Sequence, residues 1–309
     1  MVRGVIMYGR ARVPGACGEL VQGMIDGDYF LITCPINLGS EVRVTLQPGG
    51  QVTGPEEKGK ALQAVRLTLD HLATPLGARV EIYNPLPPGK GLASSTADVV
   101  AAAVATAEAL GTGLSLEEII RIALTIEPSD GTFLPGIVRF DHLHGQRWEY
   151  LGQPPPLEVL IVDPGGMVDT VLFNRRRDLA ALNLAKEEKV RQAVKLVKEG
   201  LARGREDLIA RGATISALAN QDILSKPELE TILELATSRG ALGVNAAHSG
   251  TVMGILYRPG EVDVAALEAS IRTVFPYVDF IRATMVGGGV EGRNGPWFMK
   301  GQATAMAGN

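Results

Sequence analysis

Several stretches of the chain carry residue types that could do chemistry together. The first, Pro85 to Gly111, reads PLPPGKGLASSTADVVAAAVATAEALG. A Pro/Gly-rich loop runs straight into a long Ala-rich helix. Val99, Val100, Ala103, Val104, Ala107 and Leu110 give that helix a broad apolar face, and Gly111 is a natural C-terminal stop. Pro87 and Pro88 stiffen the approach, and Gly89 and Gly91 let the backbone come close to a ligand. The free N–H groups of a helix's first turn suit an anion, and a phosphate is the obvious guest. Leu92 and Ala93 close the loop. Ser94, Ser95 and Thr96 then supply hydroxyls for phosphate oxygens or a magnesium ion, and Lys90 adds a positive charge. The spacing is neither G-x-x-x-x-G-K-[ST] nor G-x-G-x-x-G. A turn ahead of a tightly packed small-residue helix accounts for the same residues without any ligand.

The second stretch is Glu127-Pro-Ser-Asp130-Gly. Turn and cap formation explain Asp130 adequately. Glu127 falls at a predicted helix C-terminus, where the dipole disfavours a negative charge, and a nearby cation would resolve the conflict. A third acid, Glu19, stands in Val13–Gly23, VPGACGELVQG, whose glycines and proline predict tight turning; a solvated turn carboxylate is the plain reading. The last stretch, Gly240 to Gly254, contains AAHSGTVMG, with His248, Ser249 and Gly250 together. A lone histidine there suits a turn or packing role, or contact with substrate or phosphate.

PPGKGLASS closely resembles the phosphate-binding motif of the GHMP kinases, P-x-x-x-G-L-[GA]-S-S. That resemblance implies ATP- and magnesium-dependent phosphorylation of a small alcohol. The implied α+β fold has two domains, an N-terminal ribosomal-S5-like α/β domain and a C-terminal ferredoxin-like one. It also implies roles. Residues 87–96 would bind ATP, Ser95 and Glu127 the magnesium, and Asp130 would orient the acceptor hydroxyl and accept its proton. Glu19, His248, Ser249 and Gly250 would meet the acceptor. Asp141 and Asp98 compete with Asp130. The loop at 240–254 departs from the glycine-rich G-A-G-x-G-G form usual in the family. PGACGELVQG, GKGLASSTAD and EPSDG together look most like the branch that makes O-phospho-L-threonine for the aminopropanol arm of cobalamin. Homoserine phosphorylation and a non-catalytic metabolite sensor are the alternatives. For the charged groups of L-threonine, Glu19 or Asp163 could meet the ammonium, and Arg175 or Arg176 the carboxylate.

Alternating and periodic patterns predict the elements that must position these residues. Strands are expected at VIMYG near the N-terminus, Tyr29–Thr33 and Glu41–Leu46. A helix over Lys60–Leu72 and a strand over Arg79–Tyr83 lead into the phosphate loop. Ser115 and Glu118 form a capping box for a helix running to Ile126, which Pro128 ends. VRF and RWEYL read as a hairpin, and Gly152-Gln-Pro-Pro-Pro156 as a stiff linker. Domains are therefore placed at 1–152 and 157–309. In the second half, Leu157–Val162, Thr251–Tyr257 and Val278–Met285 read as strands. Helices are expected from Asp178 to Glu199, from Arg205 to Asn220, after a capping box at Ser225/Glu228, and from Asp263 to Phe275. Val286–Gly289 reads as a flexible turn and Met299–Asn309 as a frayed tail.

With 309 residues the chain can bury a sizeable core. A net charge of −4 gives no nucleic-acid footprint and no polybasic membrane anchor. The N-terminus is broken by Gly and Arg before a signal-length apolar stretch forms, and no segment reaches membrane-spanning length. Two cysteines without a CxxC pair, and four histidines, argue against a disulfide scaffold or a zinc cluster. The expected setting is cytoplasmic, with small-molecule partners and a homodimer as an open option.

Overall fold

The structure is a computed structural model describing residues 7–169, 173, 175–293 and 295–296. Two long antiparallel strands form its spine, β1 (Tyr8–Ile25) and β2 (Asp28–Gln47), with Tyr8 opposite Thr45 and Ile25 opposite Asp28. The stretch Val13–Gly23 does not turn but stays within β1. Its glycines serve register shifts between Pro14 and Ala16, Ala16 and Glu19, and Glu19 and Val21, with Gly18 at φ 51°. Such shifts bend a strand and re-aim its side chains. Glu19 sits at two of them. Part of the N-terminal VIMYG strand, like the expected tail at Met299–Asn309, lies outside the described residues.

After the short β3 (Val52–Thr53) come α1 (Gly59–His71) and β4 (Gly77–Tyr83), which pairs with β2. The phosphate-loop helix is α2 (Ser94–Ala109), entered through Ala93 in the left-handed region at φ 53°. Nearly every α2 residue is buried, and its small side chains let it lie close on β1. A Cβ at Gly9 would sit 2.0 Å from the Ala105 carbonyl oxygen, a backbone atom that cannot swing aside. Gly9→Ala is expected to destabilise the protein by roughly 1–3 kcal/mol through overpacking. Urea unfolding checks this, and an unchanged midpoint would mean α2 can retreat freely.

The expected capping box forms at the start of α3 (Leu116–Ile126): the Glu118 N–H donates to Ser115 Oγ, and the Ser115 N–H to the Glu118 carboxylate. β5 (Ile137–Phe140) and β6 (Trp148–Gly152) make the predicted hairpin, and β7 (Glu158–Asp163) follows. Where one helix was expected from Asp178, two form, α4 (Leu179–Ala185) and α5 (Glu187–Arg203). They break at Lys186, whose ammonium turns inward to the Gln22 carbonyl (3.1 Å) and Asn220 Oδ1 (2.6 Å).

α6 (Glu206–Ala219) and α7 (Leu229–Thr237) complete the helical layer. The capping box at Ser225/Glu228 does not form. Glu228 itself flanks α7, and its carboxylate accepts a hydrogen bond from Tyr277 Oη at 2.7 Å. The stretch read as one loop from Gly240 contains a strand, β8 (Gly243–Ala246). Then come β9 (Met253–Tyr257), α8 (Val264–Val274) capped by the Asp263 side chain, β10 (Asp279–Thr284), β11 (Glu291–Gly292) and β12 (Gly295–Pro296). Val286–Gly289 is pinned rather than loose. Gly288 and Gly136 exchange backbone hydrogen bonds of 2.9 and 3.1 Å, and the Gly289 N–H reaches the Thr132 carbonyl.

One sheet runs through the molecule in the order β10-β7-β9-β8-β1-β2-β4-β3. Its two halves meet where β1 pairs with β8, at Glu19 opposite Ala246. That pair sets an acid from the first half beside the loop that carries His248.

Candidate active site

The phosphate loop is held open by its glycines and tied down on three sides. Gly89 and Gly91 have φ of 71° and 85°. The loop carbonyls accept from Ala16, Gly18, Val168 and Val252 N–H groups. Added Cβ atoms at Gly91 and Gly250 would lie 2.3 Å from the Ala247 Cβ and 2.2 Å from the Lys90 carbonyl oxygen. The phosphate loop and the His248 loop therefore touch backbone to backbone.

Around them is a pocket of about 90 Å³. Pro88, Gly89 and the run Gly91–Thr96 form one wall; Glu19, Glu127 and Asp130 line another, and His142, His248 and Ser249 a third. Pro87, Lys90 and Gly250 lie outside this lining.

The hydroxyls divide their work. Ser94 Oγ donates to the Leu86 carbonyl at 3.0 Å and accepts from Asn84, so it braces the loop. Ser95 Oγ donates to Glu127 Oε1. Thr96 Oγ1 accepts the Asp130 N–H at 3.2 Å, which ties the carboxylate turn to the helix start. The Lys90 ammonium faces Asp163 Oδ1 at 2.8 Å, with both side chains 13% exposed.

The cation that Glu127 calls for at its helix end is Lys60, whose Nζ lies 2.5 Å from Oε2. Sequence reasoning missed it, since Lys60 stands sixty-seven positions away and nothing local marks it. Ser95 and Glu127, the two residues expected to hold magnesium, are in hydrogen-bond contact. One carboxylate and one hydroxyl suit magnesium, which fills its remaining positions with phosphate oxygens and water. Among the described residues no cluster of three or more His, Cys, Asp or Glu forms a closed protein cage.

The competing aspartates are both committed elsewhere. Asp98 accepts from Ser40, Asn84 and Lys58 at 2.5–2.8 Å. Asp141 caps its own turn through the N–H groups of Leu143, His144 and Gln146. Arg176 is paired with Asp178 at 2.6 Å, Arg175 is exposed, and neither lines the pocket.

Burial sets the charge states. Asp130 is pushed up to about 7, first by burial and then by Glu127 nearby. Glu19 is 4% exposed, its Oε2 has no partner, and burial followed by Asp130 raises it well above the ordinary carboxylate range. Burial lowers His142 to about 4 and His248 well below its usual value, so both imidazoles are neutral. His142, also missed from sequence, stands edge-to-face on His248 at 5.4 Å, and Phe173 does so at 5.0 Å. Gln22 fixes the His248 tautomer. Its Nε2 donates to the Ala246 carbonyl, so its Oε1 accepts from His248 Nδ1–H at 3.0 Å, leaving Nε2 as a lone pair. Cys17 and Cys34 are buried thiols with raised pKa, Cys17 filling the packing role expected of it.

Comparison with known proteins identifies the family. Residues 59–133 match the GHMP kinases N terminal domain, and residues 197–275 the GHMP kinases C terminal family. An L-threonine kinase of Salmonella typhimurium is 32% identical over 265 residues, covering 84% of this chain and 87% of that protein. One from Citrobacter freundii is 30% identical over 91% of this chain and 98% of its own length. A homoserine kinase structure from Cytophaga hutchinsonii superposes with a TM-score of 0.72 at 19% identity, covering 94% of this chain and 99% of that one. A mevalonate kinase from L. major gives 0.67 at 20% identity, over 92% and 97% of the two chains. These two share the fold. With both family domains matched, and relatives at this identity over most of its length, the chain belongs to the GHMP kinase family of ATP-dependent small-molecule kinases.

Proposed function

We propose that this protein transfers the γ-phosphoryl group of ATP to the side-chain hydroxyl of L-threonine, giving O-phospho-L-threonine for the aminopropanol arm of cobalamin. The observation that carries the reading is the half-buried Asp130, tied by its own N–H to Thr96 in the first turn of α2 and lining the pocket the phosphate loop lines. Its substrate comes from the L-threonine kinases that this chain resembles over most of its length.

In this reading the loop Pro87–Ala93 and the N–H groups opening α2 hold the triphosphate. Ser95 and Glu127 hold magnesium, which when bound offsets the charge on the β- and γ-phosphate oxygens. Lys60, on the outer Glu127 oxygen, adds positive charge at the same edge. Asp130 orients the acceptor hydroxyl and takes its proton, a role suited to a carboxyl near neutrality. Glu19, His248, Ser249 and Gly250 form the acceptor side. The halves 1–152 and 157–309 are the two domains, the first supplying the phosphate loop and acids, the second the His248 loop.

ADP release with ATP and magnesium tests this, comparing L-threonine, L-serine, L-homoserine and mevalonate. Selective turnover of L-threonine is expected. Selective turnover of homoserine would keep the chemistry and discard the acceptor.

A further inference from the structure

Two lysines are buried beneath the His248 loop with no carboxylate to meet them among the described residues. Lys186 is 6% exposed and Lys226 3% exposed, and neither has an ion-pair partner among the described residues. Lys186 gives its protons to the Gln22 carbonyl and Asn220 Oδ1; Lys226 gives one to the Ala247 carbonyl at 2.9 Å. An ammonium has three donors, so neither is fully matched by these partners among the described residues. Burying a charge without a counter-ion costs several kcal/mol, and here it happens twice around one loop. Both lysines lie close enough to act electrostatically on His248.

The loop they underlie reaches two cavities. His248 and Ser249 line the pocket already described, while Gly250, Thr251 and Lys226 line an adjoining one of about 280 Å³. Thr251 Oγ1 is buried there without a partner. The catalytic pocket is also lined by acids, with Glu19 Oε2 unpartnered and Asp130 close enough to act on it electrostatically. The loop therefore has carboxyls on the pocket side, Glu19 and Asp130, and buried ammoniums beneath it, a pairing that fits a zwitterion.

We propose that the loop Ala247–Thr251 seats the α-carboxylate of the acceptor, with Lys186 and Lys226 supplying the positive charge from beneath. The proposal rests on the amino-acid kinase reading above and gives the acceptor a direction: carboxylate on the loop, ammonium toward Glu19, hydroxyl toward Asp130. It replaces the arginines expected from sequence, of which Arg176 is taken by Asp178. Glu228 accepts from Tyr277, Asp163 is paired with Lys90, and His142 and His248 are neutral.

Burial lowers Lys186 to about 7 and Lys226 to about 8. A bound carboxylate would raise both, so the lysines' grip on it is linked to proton uptake and weakens as pH climbs from 7 to 9.

The test crosses acceptor with variant. L-Threoninol keeps the ammonium and hydroxyl of L-threonine but lacks the carboxylate. Wild-type kcat/KM should fall roughly 10–100-fold from L-threonine to L-threoninol, the range for losing a charged hydrogen-bonded contact. Lys226→Met should cause a similar loss on L-threonine, mostly in KM, and leave L-threoninol within about twofold. Lys186→Met should do likewise. Equal losses on both acceptors would show a merely structural role and overturn the proposal. So would equal wild-type turnover of the two acceptors, which needs no variant to fold. Failure of the wild type to phosphorylate either would instead overturn the amino-acid kinase reading itself.

Discussion

Asp130→Asn is expected to lower turnover by roughly 10²–10⁴-fold, the range for removing a positioned acid–base group, with ATP affinity unchanged. Asparagine has nearly the same shape, and the backbone N–H that bonds Thr96 Oγ1 is untouched, so the turn should hold. Only the ionisable oxygen is lost. In the wild type, kcat/KM should rise with pH through about 7 as Asp130 ionises, before weaker acceptor binding lowers it toward pH 9. The variant should lack that inflection.

The same group leaves a mark on stability. Native Asp130 keeps its proton up to about 7, whereas its ordinary value is 3.8. Between those values the folded chain binds more protons than the unfolded one, so this residue's contribution falls as pH rises across the window. Asp130→Asn should flatten that slope in urea titrations at several pH values. Near wild-type turnover together with an unchanged pH profile would remove Asp130 from the mechanism.

What the sequence made legible were features whose chemistry is local. Gly89, Gly91 and the Ser-Ser-Thr run fit into one loop and helix start, and Ser115 caps Glu118 three residues on. Glu127 could be singled out because its conflict with a helix end is itself local. The resolving cation could not, because Lys60 reaches it only through the packing of α1 beside α2 and α3. Gln22, His142, Lys186 and Lys226 were invisible for the same reason. Each looks like an ordinary polar residue until segments distant in the chain pack over it. The misread stretches have a different cause. Glycines in Val13–Gly23 signal positive φ, and a bulge needs that as much as a turn does. Ser225 and Glu228 have capping-box spacing, but Glu228 bonds Tyr277 from a distant part of the chain.

The second large effect is expected at Glu127. Its side chain is 5% exposed and holds Ser95 Oγ on one oxygen and Lys60 on the other. Glu127→Gln keeps the shape but replaces a charged oxygen donor with a neutral amide. The magnesium concentration for half-maximal turnover should rise at least about tenfold, with turnover at saturating magnesium down roughly 10²-fold. Lys60→Met makes the informative contrast. It removes the competing cation, so the magnesium requirement should stay the same or fall, while turnover drops because positive charge at the phosphate edge is lost. Magnesium titrations of ADP release on both variants separate the roles. If Glu127→Gln keeps the wild-type magnesium requirement, Glu127 is not a metal ligand; the Lys60–Glu127 pair would then serve only to anchor α1 against the carboxylate turn.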